Sequence, residues 1–127
     1  MKKSGQDYLE AILVLELQHG TKKVRSTDIA RHLNVSKPSV SRAMGVLKEG
    51  GYIEMESYGE VSLTGEGRQV AEEVYDRHRT LTRFIRDILG VDAALAEHDA
   101  CLIEHDISNE TMKALSAYVR DHAKGIG

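Results

Sequence analysis

Cys101-Leu102-Ile103-Glu104-His105 places a thiol, a carboxylate and an imidazole within five consecutive residues. Side chains three and four apart share one face of a helix, so Cys101, Glu104 and His105 are predicted to point the same way. Together they span soft, intermediate and hard metal-ligand chemistry. Two other stretches carry donors of the same kinds. Asp7 and Glu10 lie three apart near the N-terminus. On a helix they either complement the positive end of its dipole or act as ligands. His78 sits in a long helical pattern at the spacing of its apolar stripe, Val74-His78-Leu81. There it is either a core histidine bonded to a neighbour or a ligand.

The elements that must position these groups follow from hydrophobic periodicity. Ser4 to His19 reads as an amphipathic helix with Tyr8, Leu9, Ile12, Leu13 and Leu15 as its stripe, stopped by Gly20. A short helix with Ile29, Ala30 and Leu33 on its buried side is predicted next, capped by Ser26 or Thr27. Asn34-Val35-Ser36 is a tight connector. Ser36 caps a second helix with Lys37 and Pro38 in its first turn, where proline is tolerated, and with Val40, Met44 and Leu47 facing inward. Two short helices joined in this way form a helix-turn-helix. Tyr52 to Glu56 and Val61 to Leu63 alternate as a strand pair around a turn at Ser57-Tyr58-Gly59-Glu60, which makes a wing.

Thr64 is predicted to cap a long helix running to Leu89, with Val70, Val74, Leu81, Ile85 and Ile88 on one side. Gly65 and Gly67 weaken its first turn and allow its start to slip. After Gly90, Asp92 caps a helix over Ala93 to Asp106, and Ser108 caps a last one with Met112, Leu115 and Val119 inward. Gly125-Ile126-Gly127 reads as frayed. The expected fold is mostly α: a winged helix-turn-helix in residues 1–64, then a helical lobe in residues 65–127.

The 127 residues fit one domain or two small lobes. Net charge is −3, but it is unevenly placed. Thr21 to Gly50 holds seven Lys and Arg against two acidic residues, a local +5, so the remainder carries −8. A basic segment on an acidic remainder is the footprint of a DNA-binding head. The second helix of a helix-turn-helix enters the major groove N-terminus first. The expected DNA-facing residues are therefore Lys37, Pro38, Ser39, Ser41 and Arg42 on that helix. Lys22, Lys23, Arg25, Thr27 and Lys48 are expected to meet phosphates. A single cysteine, no apolar run long enough to span a bilayer and no signal core after Met1-Lys2-Lys3 lead to the expectation of a cytoplasmic protein.

Asp7-Tyr8-Leu9-Glu10, Ser36-Lys37-Pro38-Ser39-Val40-Ser41-Arg42, Leu63-Thr64-Gly65-Glu66-Gly67, His78 and Cys101-x-x-Glu104-His105 occur in this order along nearly the whole chain. Together they resemble the diphtheria toxin repressor and manganese transport regulator family. The resemblance implies a metal-dependent, homodimeric transcriptional regulator with an N-terminal winged helix and a helical dimerisation domain. It implies metal-ligand roles for Asp7, Glu10, His78, Cys101, Glu104 and His105, and an ancillary one for Glu97, with His98 beside it. Asp7 and Glu10 resemble the manganese-type branch and Cys101 the iron-type branch. Thr82 stands where iron-type members place a further carboxylate. The third, barrel-like domain of iron-type members is expected to be absent.

The function expected is a repressor that binds operator DNA as a homodimer when loaded with Fe(II) or Mn(II), with metal-uptake genes as targets. Zn(II), Co(II) or Ni(II) would bind the thiolate-containing set in vitro. Leu81, Phe84, Ile88 and Leu102 are candidate dimer-face residues. The alternative is a metal-independent winged-helix regulator that answers another ligand. No phosphate-binding glycine loop or nucleophile elbow is present, so an enzyme is not expected.

Overall fold

The computed structural model describes residues 1–56 and 59–122. Ser57 and Tyr58 of the expected wing turn and the expected frayed end at 125–127 lie outside the described residues. The chain divides into two compact units, Met1–Glu73 and Val74–Gly127.

In the first unit, α1 (Lys3–His19) buries Leu9, Ala11, Ile12, Leu13 and Leu15. Gly20 ends it in the left-handed region at φ 67°, with its N–H on Glu16 O. β1 (Val24–Arg25) leads into α2 (Ser26–Leu33). α2 has eight residues and fully buries only Ile29 and Ala30. A helix that short is not stable alone in water, so its packing on α1 and α3 (Lys37–Glu49) must hold it. α3 buries Val40, Met44 and Leu47, the three residues its pattern marks. Asn34 makes the turn between α2 and α3 at φ 55°, a left-handed conformation that asparagine tolerates.

The cap expected at Ser26 or Thr27 is absent. Arg25 occupies the cap position without a side-chain bond. The Ser26 hydroxyl instead donates to Gly59 O at 3.1 Å, tying α2 to the turn of the wing. β2 (Ile53–Glu56) and β3 (Glu60–Leu63) form the wing, and β3 also pairs with β1. Both pairings are antiparallel, with Val61 opposite Met55 on one side and Val24 on the other. β1 has only two residues, too few for an alternating pattern to reveal.

α4 (Gly65–Arg83) starts without slippage. Thr64 Oγ1 accepts from Gly67 N–H at 3.1 Å and donates to Gly51 O at 2.7 Å. Thr64 N–H meets Tyr52 O at 3.1 Å. The chain approaches Tyr52 so closely that a Cβ on Gly67 would lie 1.9 Å from its carbonyl oxygen. Gly67 thus serves tertiary packing, and the threonine cap offsets its weak helix propensity. Arg68 adds a second tie, reaching both carboxylate oxygens of buried Glu16 on α1 at 2.9 and 3.2 Å.

The second unit contains the rest of α4, a five-residue π-helical turn (Phe84–Ile88), α5 (Ala93–Ile103) and α6 (Asn109–His122). The helix expected to run unbroken to Leu89 changes its winding at Phe84. Leu89 N–H bonds Phe84 O, five residues back, which a 3.6-residue period does not foresee. Leu81, Ala100 and Met112 form a buried cluster with Ile107 and Leu115 packed on it. Leu81 is therefore a core residue and not part of an exposed dimer face. Asp92 and Ser108 cap α5 and α6 as their positions predict, accepting from Ala94 N–H and Thr111 N–H at 3.1 Å each.

Gly67→Ala is expected to cost about 3 kcal/mol or more in urea denaturation, because backbone must move to admit the methyl group. Gly65→Ala meets nothing within 4 Å and is expected to be neutral or stabilising by about 0.5 kcal/mol.

Candidate functional site

α5 ends at Ile103, three residues short of the expected boundary. Glu104 is its C-terminal cap, still in helical conformation, and His105 follows in the turn. Cys101, Glu104 and His105 therefore do not share a continuous helical face. The reason is tertiary: the chain must turn here to start α6, and Asp106 and Ile107 close that turn by bonding back to Ile103 O.

Within the second unit His78 of α4, Cys101 of α5 and Glu104 come together. One ligand atom from each lies within 4.8 Å of those of the other two. His78 Nδ1 is 3.1 Å from Glu104 Oε1 and 3.6 Å from Cys101 Sγ. Glu97 approaches from the solvent side, with Oε1 3.9 Å from His78 Nε2. The environments are graded: Glu104 is 1 % exposed, His78 14 %, and Cys101 and Glu97 are open to solvent.

Glu104 Oε2 is buried and has no hydrogen-bond donor among the described residues. Burying a polar oxygen without a partner is costly, the more so if it is charged. Beside an imidazole and an accessible thiol, the unsatisfied oxygen fits a divalent cation, which all three donor types can bind. His78, Cys101 and Glu104 are the residues that would hold it. The Thr82 hydroxyl turns back into its own helix and donates to His78 O at 2.8 Å.

Asp7 and Glu10 are half-buried on α1 of the first unit. There the N-terminal end of α3 is solvent-exposed at Lys37, Pro38, Ser41 and Arg42, as are Arg25, Thr27 and Lys48. Ser39 differs, because its hydroxyl belongs to the cap. Ser36 Oγ accepts from Ser39 N–H at 3.2 Å and donates to Ser39 Oγ at 2.9 Å. Lys23 pairs with Glu56 on the wing at 2.8 Å, and that hydrogen bond and charge raise the lysine above its usual pKa.

Residues 1–61 match the N-terminal DNA-binding domain of iron-dependent repressors, and residues 64–124 match their metal-binding and dimerisation domain. The transcriptional regulator MntR of Salmonella typhimurium is 36% identical over 116 residues, covering 91% of this chain and 72% of its own length. The chain belongs to the iron-dependent repressor family. Members of this family, which includes the diphtheria toxin repressor and MntR type, are transcriptional regulators and not enzymes. An uncharacterized HTH-type transcriptional regulator of Methanocaldococcus jannaschii is 30% identical over 94% of each chain.

Among solved structures, a manganese-dependent transcriptional repressor in complex with manganese superposes with a TM-score of 0.81 at 30% identity. It covers 91% of this chain and 52% of its own. IdeR of T. acidophilum gives 0.77 at 27% identity, over 91% and 52%. The chain thus spans about half the length of these solved relatives. No helix among the described residues is long and apolar enough to cross a membrane.

Removing the cap hydroxyl with Ser36→Ala should cost about 1 kcal/mol of stability, read as a lower urea midpoint with an unchanged slope.

Proposed function

We propose that this protein is a metal-dependent transcriptional repressor that binds operator DNA as a homodimer when loaded with Fe(II) or Mn(II). Its regulated genes belong to metal-ion homeostasis. The observation that carries this reading is the buried Glu104 carboxylate, with one oxygen on His78 and the other without a donor, beside the accessible Cys101 thiol. The proposed division of labour is a winged helix-turn-helix in residues 1–64 and a metal-binding, dimerising segment in residues 65–127.

The proposed ligand set is His78, Cys101 and Glu104, joined on donor type and family resemblance by Asp7, Glu10, His105 and Glu97. An ion held there would supply positive charge to the buried Glu104 oxygen that otherwise lacks a donor. The cysteine must lose its proton to serve, so metal affinity falls in acid. The thiolate also shifts the preference away from Mn(II), towards Fe(II) and, in vitro, towards Co(II), Ni(II) or Zn(II).

Toward DNA, Arg42 can read a guanine edge, while Lys37, Ser41 and the α3 N-terminus suit either base edges or phosphates. Pro38 fixes the first turn that presents them, and Ser39 contributes through the cap. Arg25, Thr27 and Lys48 suit the phosphate backbone, where contacts set register and are weakened by salt. Lys22 is available for the same role, whereas Lys23 would have to leave Glu56 to reach a phosphate. A dimer presents two such helices, and half-sites one DNA turn apart, roughly 34 Å, match that symmetry. Any metal dependence of DNA affinity is reciprocal, so DNA raises metal affinity by the same factor. The exposed Leu89, Leu95, Leu102, Ile103 and Tyr118 of the second unit provide the apolar surface that self-association would bury.

The deciding measurement is anaerobic fluorescence anisotropy on DNA selected by this protein with Mn(II). Affinity is expected to drop at least tenfold when chelator replaces Fe(II) or Mn(II). Equal affinity in both would sink the metal switch and favour a regulator answering another ligand. Glu10→Ala and His105→Ala are each expected to stay folded and lose the metal response. If both respond normally, the ligand set is wrong. Lys37→Ala or Arg42→Ala should weaken DNA binding and, where a phosphate contact is lost, lower the salt slope by about 1.

A further inference from the structure

Arg77 precedes His78 on α4, and its guanidinium spans the connection between α5 and α6. Nη1 donates to Glu104 O and to Ile107 O, each at 3.0 Å. Nη2 donates to Asn109 Oδ1 at the start of α6. Two adjacent residues of one helix therefore hold Glu104 from two sides: His78 takes its carboxylate and Arg77 takes its backbone carbonyl.

We propose that Arg77 is a positioning residue for the metal cluster, fixing the α5–α6 turn so that the Glu104 carboxylate faces His78 and Cys101. This rests on the metal reading above. The last carbonyls of a helix have no donor partners within it, and α5 has no basic residue in its own last turn. Arg77 supplies the missing donors and a cation where the helix dipole is negative. The geometry needs arginine, because its planar fork reaches two carbonyls and an amide oxygen at once. An ammonium is a single point that cannot span all three. A carboxylate whose backbone is untied loses its preset aim, and supporting contacts of this kind typically set about tenfold or more in metal affinity.

The test is anaerobic titration of the full chain with Co(II), read by the thiolate-to-cobalt absorption, alongside thermal melting without metal. Arg77→Met is expected to bind Co(II) at least tenfold more weakly and with an altered band. Arg77→Lys is expected to fall between it and the unaltered protein. A residue that only stabilises the fold would lower melting and leave affinity and spectrum of the folded protein unchanged. If Arg77→Met folds and matches the unaltered protein in both, the positioning role is overturned. If it does not fold, the lysine variant decides by the same criterion, and unaltered affinity and spectrum there overturn the role. Failure of the unaltered protein to bind Co(II) would instead overturn the metal reading, and this role with it.

Discussion

The carboxylate of Glu104 is the most constrained group in the second unit. It is almost wholly removed from water, yet only one of its oxygens has a partner, His78 Nδ1. Whichever of the two carries the proton, the other oxygen lacks a donor. Apolar replacements of similar size would pack there at lower cost, so the arrangement is better understood as a site than as a stabilising pair. The surrounding elements bring it about: α4 supplies His78, the end of α5 supplies Cys101 and Glu104, and Arg77 pins the turn from α5 to α6. Capping by Asp92 and Ser108 sets where α5 and α6 begin.

The first unit solves a different problem, which is to hold an exposed α3 rigidly. α3 cannot rely on its own length. It is fixed by Val40, Met44 and Leu47 beneath, by the Ser36 cap at its start and by the Gly50-Gly51 stop. The three-stranded sheet and the Thr64–Gly51 bond tie the following wing and the start of α4 to the same body. For the proposed role, rigidity would matter because side chains that read base edges must arrive in register with the phosphate contacts that flank them.

Much of this architecture was legible in the sequence. The inward set of α3, that of α1 apart from half-buried Tyr8 and the unmarked Ala11, the connector at Asn34 and the caps at Ser36, Thr64, Asp92 and Ser108 depend on neighbours within a few residues. Local spacing reports such features well. Features that depend on distant partners were not legible. β1 exists only because β3 passes beside it, Ser26 is drawn from capping to Gly59, and Gly67 is required by Tyr52. The π-helical turn at Phe84 and the early end of α5 also escaped a fixed helical period.

The candidate site divides in the same way. The sequence by itself determined which donors are present, that Cys101 and Glu104 lie one helical turn apart, and that His78 shares the apolar spacing of α4. These follow from residue type and helix geometry. Only tertiary structure decided that His78 meets both, that Glu104 is buried with an unsatisfied oxygen while Cys101 stays accessible, and that Arg77 braces the turn. The physical reason is that burial and hydrogen bonding belong to pairs of residues 23 to 32 positions apart. Their meeting depends on how helices pack, which no local pattern encodes.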